Sequence, residues 1–319
     1  MAGKRLITVF GATGAQGGSV ANIFLNDPKL KPDWTVRAVT RDVTKDSAKK
    51  LRDAGAEVVA ADLNDKSTLI SALQGAAAVF AVTNYWEKMD AALEVQQGKN
   101  LVDAAKETNV QQFIWSSLLN INKLSKGALP NVHHFDSKAD VEEYARAVGI
   151  PATFFMPGFY MSNIPGGTFR RSPPNNAFTF SLPVSPSAQI PMFDSADTGK
   201  YIKAAVLHRD ELLGKRLLSA TEYLTVAQVV EAFRKAFPEA GKDATFYSVP
   251  PQQFKQILME KQGWPDFVAQ EFLENMLLLE QFGYYGGASL DETHRLVEDK
   301  LTTWGEHLRA SKKWGEELK

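Results

Sequence analysis

A doubly wound α/β fold, with a parallel sheet covered by helices on both faces, is what this sequence predicts. Three observations carry the expectation: apolar runs alternating with helical spacing through the first 157 residues, a glycine-spaced turn after the first run, and glycines closing successive helices. Residues 6–10 form a short apolar run ending at a glycine, as a strand buried on both faces does. Residues 19–25 follow with helical spacing. Residues 34–40 read as the second strand, 45–54 as a polar helix closed by Gly55, and 57–61 as the third strand. A helix over 67–73 ends at Gly75, a fourth strand runs over 77–83, and a long amphipathic helix spans 91–108. Residues 112–117 give the fifth strand, 139–148 a helix ending at Gly149, and 152–156 the sixth strand. Right-handed crossovers then bring all six strand C-termini to one edge, where ligands bind.

The pattern changes after Pro157, which divides the chain into a dinucleotide-type domain over 1–157 and a smaller mixed α/β lobe over 158–319, parts of which pack back on the first. Residues 163–191 are rich in Pro, Ser and Asn and read as loops and short strands. Helices resume over 198–207, 226–237, 251–262 and 266–282, and the charged tail 304–319 reads as a solvated surface helix. Among 319 residues, Lys plus Arg number 36 against 37 Asp plus Glu, a net charge of −1. Nothing global draws the chain to nucleic acid or to an anionic membrane. The absence of cysteine excludes disulfides, thiol catalysis and Cys-ligated zinc, and no metal site is expected. Met1 to Arg5 lead straight into a strand too short for a signal peptide or a membrane span. The expectation is a soluble cytoplasmic protein, with the nucleus as a second compartment.

The turn after the first strand reads Gly11-Ala12-Thr13-Gly14-Ala15-Gln16-Gly17. In a dinucleotide-binding Rossmann domain the first glycine makes the tight turn. The second lets the pyrophosphate approach the backbone, and the third lets the helix pack on the strand. The helix N-terminus then offers free N–H groups to phosphate. The spacing G-x-x-G-x-x-G departs from the usual G-x-G-x-x-G, but the strand before it and the helix after it supply the confirming context. The competing reading is a structural turn. The second strand ends Ala38-Val39-Thr40-Arg41 with no carboxylate at its tip, so Arg41 offers a donor fork for a 2′-phosphate, or is a solvated loop residue. Asp42 beside it would weaken phosphate binding, and Lys45 adds a cation. Asp62 after the third strand can pair with the adenine amine or serve as an acid near a helix start.

At the nicotinamide end the short-chain dehydrogenases use a Tyr-x-x-x-Lys motif and a serine on the fifth strand. Ser116 and Ser117 stand where that serine stands, and Lys138 stands where the lysine does. His134 occupies the tyrosine position; Tyr144 lies beyond the lysine at the wrong spacing. A histidine can donate a proton, so His134 and Lys138 are the candidate catalytic residues. The competing readings are a polar helix-start residue and a surface lysine. Phe154, Phe155, Phe159, Tyr160 and Phe169 form an aromatic cluster that suits either a core or an apolar substrate pocket.

These residues resemble a known family. The stretch from Phe10 to Val20 is similar to the opening of the NmrA-like proteins, an atypical branch of the short-chain dehydrogenases. The stretches Val82-Thr83-Asn84-Tyr85-Trp86-Glu87 and His134 to Tyr144 resemble the HSCARG-type redox sensors in particular. The resemblance is close over residues 4–160 and loose beyond. It implies a Rossmann domain with a small α/β lobe. It implies binding of NADP(H), with NAD(H) as the second ligand, and a protein partner governed by cofactor state. Little or no dehydrogenase turnover is implied; the alternative is an atypical NADPH-dependent reductase, related to the isoflavone reductases. Carried over by motif, Gly11, Ala12, Thr13, Gly14, Ala15, Gln16 and Gly17 hold the pyrophosphate and Arg41 the 2′-phosphate. Asp62 and Leu63 flank adenine, and Thr83, Asn84 and Tyr85 line the cofactor. Lys138 meets the nicotinamide ribose, and Phe155, Met156, Pro157 and Gly158 close over the nicotinamide. Membrane and direct nucleic-acid partners are not expected.

Overall fold

Six parallel strands form on the six short apolar runs of the first half, all with buried residues except the third, which lies half-covered at the sheet edge. In the computed structural model, which describes residues 3–318, they are β1 (Arg5–Val9), β2 (Trp34–Thr40), β3 (Glu57–Ala60), β4 (Ala76–Ala81), β5 (Gln112–Ser116) and β6 (Ala152–Pro157). Met1, Ala2 and Lys319, part of the terminal segments read above, lie outside the described residues. The helices between them are α1 (Ala15–Asn26), α2 (Asp46–Asp53), α3 (Lys66–Leu73), α4 (Ala91–Glu107), the short α5 (Ile121–Leu124) and α6 (His133–Val148). Helix α6 starts six residues before the expected 139. Its first turn, His133-His134-Phe135-Asp136, carries no strong helix signal, and no side chain caps it locally.

The second half contributes β7 (Phe159–Tyr160), β8 (Phe169–Ser172), β9 (Ala177–Leu182), β10 (Gln189–Phe193), α7 (Thr198–Leu207), α8 (Arg209–Leu212), β11 (Arg216–Ser219), β12 (Glu222–Thr225), α9 (Val226–Ala236), β13 (Thr245–Ser248), α10 (Pro251–Gln262), α11 (Asp266–Gln281), α12 (Asp291–Leu296), α13 (Trp304–Ala310) and α14 (Lys312–Glu317). The main sheet has seven strands, not six, in the order β11-β6-β5-β4-β1-β2-β3. The extra strand β11 pairs in parallel with β6, with Arg216 opposite Phe154 and Ser219 opposite Pro157. Two three-stranded sheets, β12-β10-β7 and β13-β9-β8, build the rest.

Three apolar clusters hold these layers. One lies between the sheet and α1 and α7, around Phe24, Phe80, Phe155 and Tyr201. One lies on the opposite face under α3, α4 and α6, around Leu69, Phe113, Trp115 and Val141. The third fills the lobe. Phe154, Phe155, Phe159 and Phe169 are buried, so the core reading holds for these four, while Tyr160, the fifth member of the aromatic cluster, is only half-buried. The tail corrects an expectation. Trp304, Leu308 and Trp314 are buried, and the Trp314 ring packs on Phe169, Phe178 and Phe233. A few apolar residues on one side of an otherwise charged segment suffice to dock it, and a charge count overlooks them. Among the described residues no helix is long and apolar enough to cross a membrane.

Strand order reverses direction at β1 and β4. The crevice above that point, at the strands' C-terminal edge, is where doubly wound sheets bind ligands.

Candidate functional site

The loop leaving β1 is set by backbone geometry. Phe10 N–H donates to the Phe80 carbonyl on β4 at 2.9 Å, and Gly14 N–H closes the turn on the Gly11 carbonyl at 2.8 Å. Gly11 has φ +62°, the left-handed region that favours glycine. A Cβ on Gly17 would stand 2.6 Å from the Phe10 carbonyl oxygen and nearer still to that of Gly11, so α1 begins directly on the strand end. Ala12 is buried under the loop, while Gly11, Thr13, Gly14 and Ala15 are exposed. The N-cap of α1 is Gly14, which has no side chain to offer. By contrast, Asp65 caps α3 through Ser67 N–H, and Asp90 caps α4 through Leu93 N–H. An uncapped, exposed helix N-terminus on a glycine backbone fits a pyrophosphate.

At the adenine end Arg41 follows β2, and its Nη1 donates to Glu87 Oε1 at 2.6 Å, both residues being exposed. Asp42 does not pair with Arg41. Its Oδ1 accepts from Thr44 N–H at 2.9 Å and Thr44 Oγ1 at 2.6 Å, and these bonds hold its carboxyl below the usual range. Thr40 Oγ1 accepts weakly from Asp42 N–H at 3.4 Å. Asp62 is exposed and accepts from Asn64 N–H at 2.9 Å and Asn64 Nδ2 at 2.8 Å, forming a local turn. The cap of α3 is Asp65 instead. Leu63 is half-buried, and its carbonyl accepts from Asn100 Nδ2 at 2.8 Å.

After β4, Thr83 is buried, Asn84 exposed and Tyr85 buried. Lys138 on α6 points under this segment. Its Nζ donates to Thr83 Oγ1 at 2.9 Å, to the Thr83 carbonyl at 3.2 Å and to Glu94 Oε1 at 2.8 Å, which uses all three ammonium protons. Glu94 is 2% exposed and also accepts from Thr83 Oγ1 at 2.6 Å and from Ser137 Oγ. Burial pushes the Glu94 carboxyl up, but the Lys138 charge and the bonds from Lys138, Ser137 and Thr83 outweigh it and hold the group below the usual range.

His134 turns toward the lobe. Its Nδ1 donates to Glu271 Oε1 on α11 at 2.6 Å, and its Nε2 faces Asn275 Nδ2 at 3.3 Å. Glu271 is fully buried, and also accepts from His134 N–H and from Tyr85 Oη, each at 2.8 Å. Its carboxylate thus caps α6, which lacks a local cap, and joins it to the segment after β4. Burial and the Glu271 charge raise the Tyr85 phenol well above its usual range.

On the other side of the crevice Ser116 Oγ donates to Gln16 Oε1 at 2.9 Å, and Gln16 Nε2 donates to Tyr160 Oη. Burial pushes the Tyr160 phenol up to about 12, so it stays protonated at neutral pH. Ser117 Oγ instead meets buried Glu142 Oε2 at 2.8 Å. At the end of β6, Phe155 packs on Phe80 and Phe193. The Met156 and Pro157 carbonyls accept from Tyr285 Oη at 2.7 Å and Tyr284 Oη at 3.3 Å. Gly158 sits where a Cβ would strike the Pro191 carbonyl at 2.6 Å. The side chains of Phe155 and Met156 therefore belong to the core.

Sequence reasoning passed over Glu94 and Glu271, and met Glu87 only within the stretch 82–87 and Tyr160 only as a member of the aromatic cluster. Two of them carry a readable signal. Glu94 lies in the buried stripe Glu94-Gly98-Leu101-Val102-Ala105 of α4, and Glu271 lies among the buried residues of α11. A buried acid, whether Glu94 alone in its stripe or Glu271 with Glu274 beside it, demands a buried partner. Glu87 and Tyr160 carry no such signal.

A family model for the NmrA-like family matches residues 3–308. The chain is 29% identical over 280 residues to the NmrA-like family domain-containing oxidoreductase ptmS of Penicillium ochrochloron, covering 82% of this chain and 81% of that one. It is 31% identical over 264 residues to the NmrA-like family domain-containing oxidoreductase cpsB of Aspergillus campestris, covering 77% and 76%. Among solved structures, the negative transcriptional regulator NmrA in complex with NADP superposes with a TM-score of 0.81 at 23% identity, over 99% of this chain and 97% of that one. The same regulator is also known in complex with NAD. The exposed glycine cradle, the strand order and a family match spanning nearly the whole chain agree: this protein belongs to the NmrA-like family.

Proposed function

We propose that this chain binds NADP(H), with NAD(H) as a second ligand, and acts as a cofactor-reading regulator with little or no dehydrogenase turnover. The observation that carries the reading is the state of the proton-donor position. His134 stands where a short-chain dehydrogenase has its tyrosine, and its ring is held by Glu271 and Asn275 of the lobe. It is a link between elements, not a free acid over the nicotinamide. In this reading Gly11 to Gly17 hold the pyrophosphate and Arg41 the 2′-phosphate. Asp62 and Leu63 flank adenine, and the backbone of Thr83 to Tyr85 and of Phe155 to Gly158 lines the nicotinamide half. Lys138 meets the nicotinamide ribose by giving up a bond, of which the 3.2 Å contact to the Thr83 carbonyl is the longest. The Tyr85–Glu271–His134 link gives occupancy of the crevice a route to α11 of the lobe.

A screen of NADPH oxidation against aldehydes, quinones and enones tests this reading. Turnover far below about 1 per second is expected, and ordinary rates at or above that value would overturn it. The second reading, an NADPH-dependent reductase, is favoured by one observation: the protonated Tyr160 phenol joined through Gln16 to Ser116 beside the loop. Turnover that collapses in Tyr160→Phe and survives in His134→Ala would establish it.

Arg41→Ala is expected to weaken NADPH binding by about 1.5–3 kcal/mol, the value of a charged hydrogen bond, and to leave NADH nearly unchanged. Calorimetry that finds equal NADPH and NADH affinities in the parent protein would sink the 2′-phosphate assignment.

A further inference from the structure

We infer that Glu87 is a specificity-determining residue that competes with the 2′-phosphate for Arg41 and so moderates the preference for NADP(H). The inference rests on the cofactor reading above and names the residue that tunes it. In dinucleotide domains that select NAD, the acid stands at the tip of the second strand. Here that tip carries Arg41, and the acid arrives from the other side of the strand-order reversal, on the turn after β4. Glu87 Oε1 accepts from Arg41 Nη1 at 2.6 Å.

The two partners differ in freedom. Glu87 belongs to a 3₁₀ turn, Tyr85–Glu87, whose Tyr85 is pinned by its hydroxyl to buried Glu271 at 2.8 Å. The ring of its Trp86 lies 4.8 Å from that of His134. The Arg41 side chain is 69% exposed and anchored at this one acid. When a 2′-phosphate arrives, Arg41 swings toward it, while the held turn keeps the Glu87 side chain in the neighbourhood. Two terms then oppose NADP(H): the Arg41–Glu87 pair is lost, and the Glu87 carboxylate remains near a doubly charged phosphate, with Asp62 nearby adding the same sign. Neither term acts on NAD(H), whose 2′-hydroxyl leaves the pair intact. Both partners are exposed, so each term is small and falls with salt.

The test is calorimetry of NADPH and NADH on the parent, Glu87→Gln, Glu87→Ala, Arg41→Ala and the Arg41→Ala/Glu87→Gln double variant, at low and high salt. In Glu87→Gln and Glu87→Ala, NADPH should bind about fivefold more tightly and NADH stay within about twofold, the difference shrinking as salt rises. In the Arg41→Ala background the gain should fall below about twofold. A parent that binds NADPH and a Glu87→Gln variant with the same NADPH-to-NADH ratio would overturn this inference and leave the cofactor reading standing. A parent that binds neither dinucleotide would overturn both.

Discussion

Gly17→Ala is expected to lose dinucleotide binding and about 3 kcal/mol of stability, from overpacking a site that cannot relax. The added Cβ would lie 2.6 Å from the Phe10 carbonyl and 2.5 Å from the Gly11 carbonyl carbon. These are backbone atoms at the end of β1, and Phe10 N–H is tied to β4 at 2.9 Å, so the strand cannot yield without breaking the sheet. The helix must lift instead, which moves its free N–H groups away from the turn that aims them. Two neighbours separate this from a general intolerance of α1. A Cβ on Gly18 would stand 3.4 Å from the Ala12 carbonyl, an ordinary contact, so Gly18→Ala should keep parent stability. A Cβ on Gly14 would stand 3.3 Å from the Gly11 carbonyl, a fit that asks for a few tenths of an ångström. Gly14→Val should therefore stay folded and still abolish binding, because its side chain fills the space the pyrophosphate approaches. Circular dichroism, thermal unfolding and NADPH titration of the three variants check this. A Gly17→Ala protein of parent stability that binds NADPH would show that the loop does not cradle phosphate.

What could be read in the sequence was what neighbours along the chain decide. The glycine turn and Arg41 lie within a few residues of a strand end, and a strand end is marked by the apolar run before it. The four-residue spacing of His134 and Lys138 is that of one helical face, but the pattern marked the helix only from residue 139, and the start of α6 at His133 came from the structure. The sequence reading stopped where partners are distant. His134 meets Glu271 across 137 positions, and Gln16 meets Tyr160 across 144. No local pattern of spacing reports such pairs. Strand β11 was hidden for the same reason: Arg216–Ser219 is only four residues long, and only its pairing with β6 makes it a strand. The side chains of Phe155 and Met156 illustrate the converse. Their motif positions pointed to a site, but both side chains face the core.

Lys138→Met is expected to cost the fold about 3–5 kcal/mol at neutral pH, because it strands the Glu94 carboxylate in a buried site. Glu94 would keep the hydroxyls of Thr83 and Ser137 but lose the one positive charge that accompanies them. The pH dependence distinguishes this from simple loss of packing. In the parent, Glu94 is held below the ordinary carboxyl value of 4.5, so its contribution is fully present above that value and fades as pH falls through the folded-state pKa. In Lys138→Met the lowering from Lys138 is gone and burial, the largest single influence, pushes the carboxyl up. The sign then reverses: the variant's deficit should be greatest at neutral pH and shrink as acid neutralises Glu94. Adding Glu94→Gln should recover most of the loss at neutral pH and flatten the pH dependence. Urea unfolding of the parent, both single variants and the double variant, at pH 5 and pH 7.5, gives the coupling directly. A Lys138→Met deficit under about 1 kcal/mol that does not change with pH would mean that Glu94 finds its compensation elsewhere. Lys138 would then be free to act on a bound cofactor alone.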